Sequence, residues 1–215
     1  MNVLLVAATV QEITPFLDHF KNGGIVKHEV DVLISGLGLM TTTHGLTRQI
    51  AIKKPDLAIQ AGIAGCFNRR MPLGSIVAVK QDVVADEGVV EFREYKSLFD
   101  LKLLKPNQHP YSKGWLANPY ANTFIKKNGF TPVNGISVNQ ITTDPARIKE
   151  YRTRFKAVVE SMEGAALHYV CLQENIPFLQ LRGVSNYIGV RDKSKWDFQK
   201  PIQNLNKAII ALLEK

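Results

Sequence analysis

Cysteine is nearly absent from this 215-residue chain: Cys66 and Cys171 stand alone. They form no C-x-x-C pair, which argues against a disulfide framework or a structural zinc site, and both read as small buried thiols. The five histidines, His19, His28, His44, His109 and His168, lack H-x-H or H-E-x-x-H spacing, so no metal is expected. No G-x-S-x-G elbow marks a serine hydrolase. The apolar runs are too short to cross a bilayer, so no membrane partner is expected. The first of them, Asn2 to Val10, has no basic leader and soon meets Gln11 and Glu12, as a strand does and a signal peptide does not, which points to the cytoplasm. There is no internal repeat, low-complexity tract or linker, and residues 1–215 are expected to form a single domain. Acidic residues are in deficit, 19 against 27 Lys and Arg, for a net charge of +8. The cations come in pairs such as Lys53-Lys54 and Arg69-Arg70 rather than in a tract, so a solvated basic surface is expected and no nucleic acid.

What the chain does contain alternates in pattern. Asn2 to Ala8 is apolar on both faces, as in a strand buried within a sheet. Strands are predicted at Val30–Ile34, Leu57–Ala61, Ser75–Ala85, Gly135–Ile141, Ala157–Glu160 and Pro177–Val184. Helices are predicted at Leu39–Lys54, stopped by Pro55, from the Asp144-Pro145 cap, at Ala165–Glu174 and at Asp197–Leu213. Between Tyr95 and Tyr120 the periodicity is poor, and a long irregular excursion is expected. The alternation predicts an α/β class fold, a central mixed sheet flanked by helices. Gly36-Leu-Gly38 follows a strand, but Thr41 stands where a dinucleotide fingerprint needs its third glycine.

Three strand ends gather polar residues, where open α/β sheets bind ligands. They are Ala8-Thr-Val-Gln-Glu12, Ser161-Met-Glu-Gly164 and Leu181-Arg-Gly-Val-Ser-Asn186. Each alone has a structural explanation: acids favour helix N-termini, and Ser-Asn favours turns. Together, with Gly62-Ile-Ala-Gly65, they resemble the purine nucleoside phosphorylase and methylthioadenosine nucleosidase superfamily over nearly the whole chain. Glu160 to Trp196, with Asn186-Tyr-Ile-Gly-Val-Arg-Asp192 and Lys195-Trp196-Asp197, is closer to the futalosine hydrolases of menaquinone biosynthesis than to the adenine-specific nucleosidases. Ala85-Asp-Glu-Gly88 and the segment to Leu103 are similar to the same hydrolases.

The resemblance implies a nucleoside phosphorylase-like fold and cleavage of a purine N-ribosidic bond without a cofactor. It implies Glu12 as the base that activates water, Glu163 as the carboxylate on the ribose hydroxyls and Asn186 on the purine. It further implies Met162 against the sugar, the backbone at Ile141 beside the base, and Gly62, Arg182 and Ser185 as supporting residues at the substrate. Related enzymes are commonly dimers or larger, so a homo-oligomer is expected. Phosphorylases of the superfamily hold phosphate with arginines and a hydroxyl; Gln60-Ala-Gly-Ile63 offers neither, so water is the expected nucleophile. Where adenine-cleaving relatives carry Asp, this chain carries Asn186, whose amide donates to O6 or N7 and whose oxygen can accept from N1–H of hypoxanthine. The expected reaction converts futalosine to hypoxanthine and dehypoxanthinyl futalosine, the alternatives being a methylthioadenosine or aminodeoxyfutalosine type of nucleosidase, another purine nucleosidase or, from another class, a basic nucleic-acid-binding domain. Phe92, Tyr95, Tyr120, Tyr187 and Arg191 are candidates for the group beyond the ribose.

Overall fold

The computed structural model describes residues 1–25, 27–92 and 94–215, so Arg93, within the hydrolase-like segment up to Leu103, lies outside the described residues. The apolar N-terminal run forms β1 (Asn2–Ala7), fully enclosed between β2 (Glu29–Ile34) and the long β3 (Leu57–Cys66), both parallel to it. The remaining strands of this sheet are β4 (Ile76–Asp82), β7 (Leu116–Ala117), β8 (Thr131–Ser137), β9 (Val159–Ser161) and β10 (Phe178–Tyr187). The order is β10-β4-β8-β9-β3-β1-β2, and β10 also pairs with β3, so five strands close into a ring from which β1 and β2 extend. Parallel and antiparallel ladders coexist, which makes this the mixed sheet expected.

Helices cover both faces. On one lie α1 (Val10–Lys21), α3 (Ala121–Lys127) and α6 (Gln199–Leu213), burying Ile13, Phe16, Ile125, Leu205 and Ile209 against β1, β3 and β10. On the other, Leu46 and Ile50 of α2 (Leu39–Ile52) meet Leu167, Val170 and Cys171 of α5 (Gly164–Gln173). Each such side chain contributes about 1.5–3 kcal/mol by leaving water. The remaining helix, α4 (Pro145–Arg154), starts as the sequence predicts: Asp144 accepts from the Arg147 N–H, and Pro145 fills the first turn. Both cysteines are free and buried. Among the described residues no helix is long and apolar enough to cross a membrane, and no cluster of side chains is suited to a metal.

Several expected boundaries move, for local reasons. The strand predicted at Gly135–Ile141 is displaced to Thr131–Ser137, because the N–H groups of Asn139 and Gln140 donate to the Asp86 carboxylate and turn the chain out of the sheet. The strand predicted to end at Ala61 runs on to Cys66, since β10 follows it along one edge. Helices α1 and α3 and the hairpin of β5 (Gly88–Glu91) and β6 (Glu94–Ser97) were not predicted. For α1 the signal was present: Thr9-Val-Gln-Glu12 is a capping-box pattern.

The second edge of β3 is shared between two strands: β1 pairs with Leu57–Gln60, and β9 pairs with Gly65 and Cys66. Between them neither strand covers the edge, and a backbone N–H is left for another partner. Such a break in strand pairing is where α/β sheets hold ligands.

Candidate active site

Glu12 fills that break. As the third residue of α1 it reaches back, and Oε2 accepts from the Thr9 N–H at 3.0 Å. Its Oε1 accepts from the Ile63 N–H, the uncovered donor of β3, at 3.0 Å. Burial pushes the Glu12 carboxyl above its usual range, the nearby Arg182 charge and the two N–H donors pull it back, and the charge of Glu163 adds to the rise. A carboxylate moved upward in this way is better matched to accept a proton near neutral pH. A glycine is required at 62, since a Cβ there would overlap the Arg182 guanidinium and sit 2.8 Å from Glu12 Oε1.

Arg182 itself is fully buried in β10, and its Nη2 donates to Gln60 Oε1 at 2.8 Å. It lies behind the wall of the site as a buried counter-charge. Its charge opposes the cost that burial places on the Glu12 anion.

Glu163 sits in the turn between β9 and α5. Its Oε1 accepts from the Gly38 N–H at 3.0 Å, at the start of α2, and Oε2 from the Met162 N–H at 3.3 Å. The turn is held from below by Ser137, whose hydroxyl accepts from the Ala165 N–H at 2.7 Å and donates to Asp82 Oδ1 at 3.0 Å. Asp82 is wholly buried, and burial pushes its carboxyl up to about 6.

Asn186 arrives from β10, where the pairing with β3 shifts register between Val184 and Asn186. Its Oδ1 accepts from the Ser185 hydroxyl at 2.9 Å, shorter than that hydroxyl's 3.2 Å approach to the Ala64 carbonyl. The Asn186 oxygen is thereby engaged, and its NH₂ has no hydrogen-bond partner among the described residues. The Ser185 carbonyl accepts from the Asp197 N–H at 2.9 Å, which folds the 188–198 segment over the site.

The three side chains meet. A cavity of about 540 Å³ is lined by Glu12, Glu163 and Asn186 together with Met162, Ile141 and Ser185. Gly62 and Arg182, expected at the substrate, do not line it; they shape and neutralise its floor. Its remaining wall is largely apolar, from Leu37, Ile63, Ile188, Trp196, Phe198 and Ile202, and among the described residues that line it none is Lys or Arg. Phe92, Tyr95, Tyr120, Tyr187 and Arg191 do not line it either. Phe92 points into solvent, the Tyr95 and Tyr187 hydroxyls donate to the Glu87 and Met71 carbonyls, and Arg191 lies over the Trp196 ring. Arg69 and Arg70 border a separate hollow of about 660 Å³ with Arg152 and Lys156. Sequence reasoning passed over Glu160, a further buried carboxylate on the wall, because nothing in its spacing separates it from an ordinary strand residue.

The family model described as the phosphorylase superfamily matches residues 5–215. A futalosine hydrolase of Thermus thermophilus is 26% identical over 182 residues, 84% of this chain and 80% of that protein. A 5'-methylthioadenosine/S-adenosylhomocysteine nucleosidase of Bacillus cytotoxicus is 27% identical over 184 residues, 83% of this chain and 77% of its own length. Among solved structures, the native futalosine hydrolase of Helicobacter pylori superposes with a TM-score of 0.82 at 19% identity, covering 100% of this chain and 97% of that one. The fold is the same.

Proposed function

This chain belongs to the phosphorylase superfamily, and we propose that within it the protein is a purine nucleosidase that hydrolyses futalosine to hypoxanthine and dehypoxanthinyl futalosine. The observation that carries the reading is the meeting of Glu12, Glu163 and Asn186 on one cavity. Two groups of relatives bear on it, futalosine hydrolases and methylthioadenosine nucleosidases, and Asn186 favours the first.

In this reading Glu12 takes a proton from a water molecule whose oxygen bonds C1′ of the ribose. The pair of electrons in the N-ribosidic bond leaves with the purine, solvent completes the released base with a proton, and Glu12 returns its own to solvent. General-base assistance of this kind contributes roughly 10²–10⁴-fold. Glu163 grips the ribose hydroxyls and faces the positive charge that develops on the sugar, while Met162 packs against the ring. The apolar wall formed by Leu37, Trp196 and Phe198 suits the phenyl ring beyond the ribose, whereas Arg191 and the four aromatic residues expected there do not line the cavity. Phosphate as nucleophile is disfavoured, because among the described residues no cation lines the cavity to give it charge-assisted donors. No metal or organic cofactor enters the chemistry, and the setting we infer is the cytoplasm.

Leu37, Met40 and Ile141 leave much apolar area exposed, and two of them border the cavity. A second copy of the chain covering this patch accounts for it, so the working form we infer is a homo-oligomer. The test is to incubate the protein with futalosine, inosine and methylthioadenosine, with and without phosphate, and to identify the released base. Hypoxanthine from futalosine at a phosphate-independent rate is expected. Adenine from methylthioadenosine as the faster reaction would replace this reading with the alternative.

A further inference from the structure

Gln60 of β3 is buried, stands outside the cavity lining and takes no part in the mechanism above. Its two polar ends nevertheless lead to the two site carboxylates. Arg182 Nη2 donates to its Oε1 at 2.8 Å, and its Nε2 donates to the Glu163 carbonyl at 3.5 Å, the long end of the hydrogen-bonding range. On its other side the Arg182 guanidinium meets Glu12: a Cβ on Gly62 would overlap Nη1 and sit 2.8 Å from Glu12 Oε1. The Glu163 carbonyl also accepts from the Ala166 N–H at 3.1 Å and so opens the ladder of α5. One cation and one amide thus run behind the cavity wall, from Glu12 to the backbone of Glu163.

The ends of this bridge dictate the residue type. A guanidinium only donates and a peptide carbonyl only accepts, so the side chain between them needs an acceptor at one end and a donor at the other. An amide meets both demands without a charge of its own. Glutamate would set an oxygen against the Glu163 carbonyl and compete with Glu12 for the guanidinium. Methionine would fill the space and bond neither. The sheet supplies the placement: Gln60 is in register with Gln180, and Gly62 with Arg182, so all four lie on one face and Arg182 reaches Gln60 past a residue without a side chain.

We propose that Gln60 is a positioning residue that fixes the Arg182 counter-charge beside Glu12 and ties it to the Glu163 turn, so that the water-activating base and the ribose-binding carboxylate keep one spacing. The roles of the two carboxylates rest on the nucleoside reading given above. Glu12 also faces Glu163, from the turn before α5, and Arg182 also faces Asp82 of β4 and His168 of α5. Those groups stay in place when only residue 60 is changed.

Two variants test the assignment, with folding followed by circular dichroism and thermal unfolding. In Gln60→Glu the new carboxylate draws on the same guanidinium, so Glu12 should hold its proton to a pH higher by about 1 unit. NMR of the protein labelled in its glutamate carboxyls, with the Glu12 signal assigned through Glu12→Gln, reads this without turnover. Gln60→Met, which can make neither bond, is expected to lose about 10-fold or more in kcat/KM for the nucleoside. A Glu12 titration that does not move in Gln60→Glu overturns the assignment. So does a Gln60→Met protein with unchanged kcat and KM, whatever its thermal stability, and that result decides alone if Gln60→Glu fails to fold. If the protein leaves futalosine intact while the Glu12 titration moves, the substrate reading falls and the role of Gln60 stands. Cleavage of futalosine with an unmoved titration has the opposite meaning.

Discussion

Glu12 can serve as a base only while ionised, yet burial works against its charge. The acid limb of kcat/KM should therefore lie above the ordinary carboxylate value, with activity lost as pH falls through it. The Arg182 charge opposes the burial effect, so Arg182→Met should push that limb to higher pH, and a pH–rate profile with an unmoved limb would show that Arg182 does not tune the base. Glu12→Gln leaves the capping geometry nearly intact but cannot take a proton; a fall of roughly 10²–10⁴-fold in kcat is expected, with the circular dichroism spectrum unchanged. At this scale the sequence was legible where a residue's type announces its chemistry. Glu12, Glu163 and Asn186 stood out as polar residues at the ends of apolar strands. Gly62 and Arg182 stood out equally, but only packing reveals that they act from behind the cavity wall. Glu160 was invisible, since its burial on the cavity wall is set by packing that no linear pattern encodes.

Helix α5 and the turn before it carry Glu163, and they are anchored by a network with no contact to the cavity. Ser137 joins the Ala165 N–H to Asp82, and the Gln180 side chain lies between Asp82 and His168, whose Nδ1 is paired with the Leu116 carbonyl at 2.7 Å. Ser137→Ala should lower kcat/KM for the nucleoside by about 10-fold or more through misplacement of Glu163, while Ser137→Thr restores most of the loss; equal rates for both variants would show that the bond is irrelevant. The network also predicts an unusual pH dependence of stability. Burial raises Asp82 from 3.8 to about 6, so its ionisation opposes folding above that pH, and the penalty of about 3 kcal/mol is relieved as pH falls toward 4. Burial lowers His168 from 6.5 to about 4, so its contribution is complete above 6.5 and is lost as pH falls between those values. The two effects oppose each other. Asp82→Asn removes the first, and its thermal stability relative to the unaltered protein should decline as the pH is lowered from 7 to 4.5. A difference that is constant with pH would contradict the burial of an ionised Asp82. None of these partners could be paired from sequence, because Asp82, Ser137 and Gln180 come from three separate strands.

For the molecule as a whole, apolar runs and helix stops conveyed the class of fold, since buried strands and capped helices leave local patterns. They did not convey the closing of five strands into a ring, or the uncovered stretch of β3 that gives the Ile63 N–H to Glu12. Those depend on which strands become neighbours. Nor could the exposed apolar patch at Leu37, Met40 and Ile141 be read in advance. If a second copy covers it, Met40→Glu should shift the protein toward monomer in sedimentation and lower its activity; a monomeric unaltered protein with full activity would rule that assembly out. In the proposed function, residues far apart in the chain form one cleft around one nucleoside. A crystal structure of the Glu12→Gln protein soaked with futalosine tests that arrangement without turnover obscuring the bound state. Ribose hydroxyls are expected against the Glu163 carboxylate, with a purine edge against Asn186. A nucleoside bound elsewhere, or reaching only one of these groups, would contradict it.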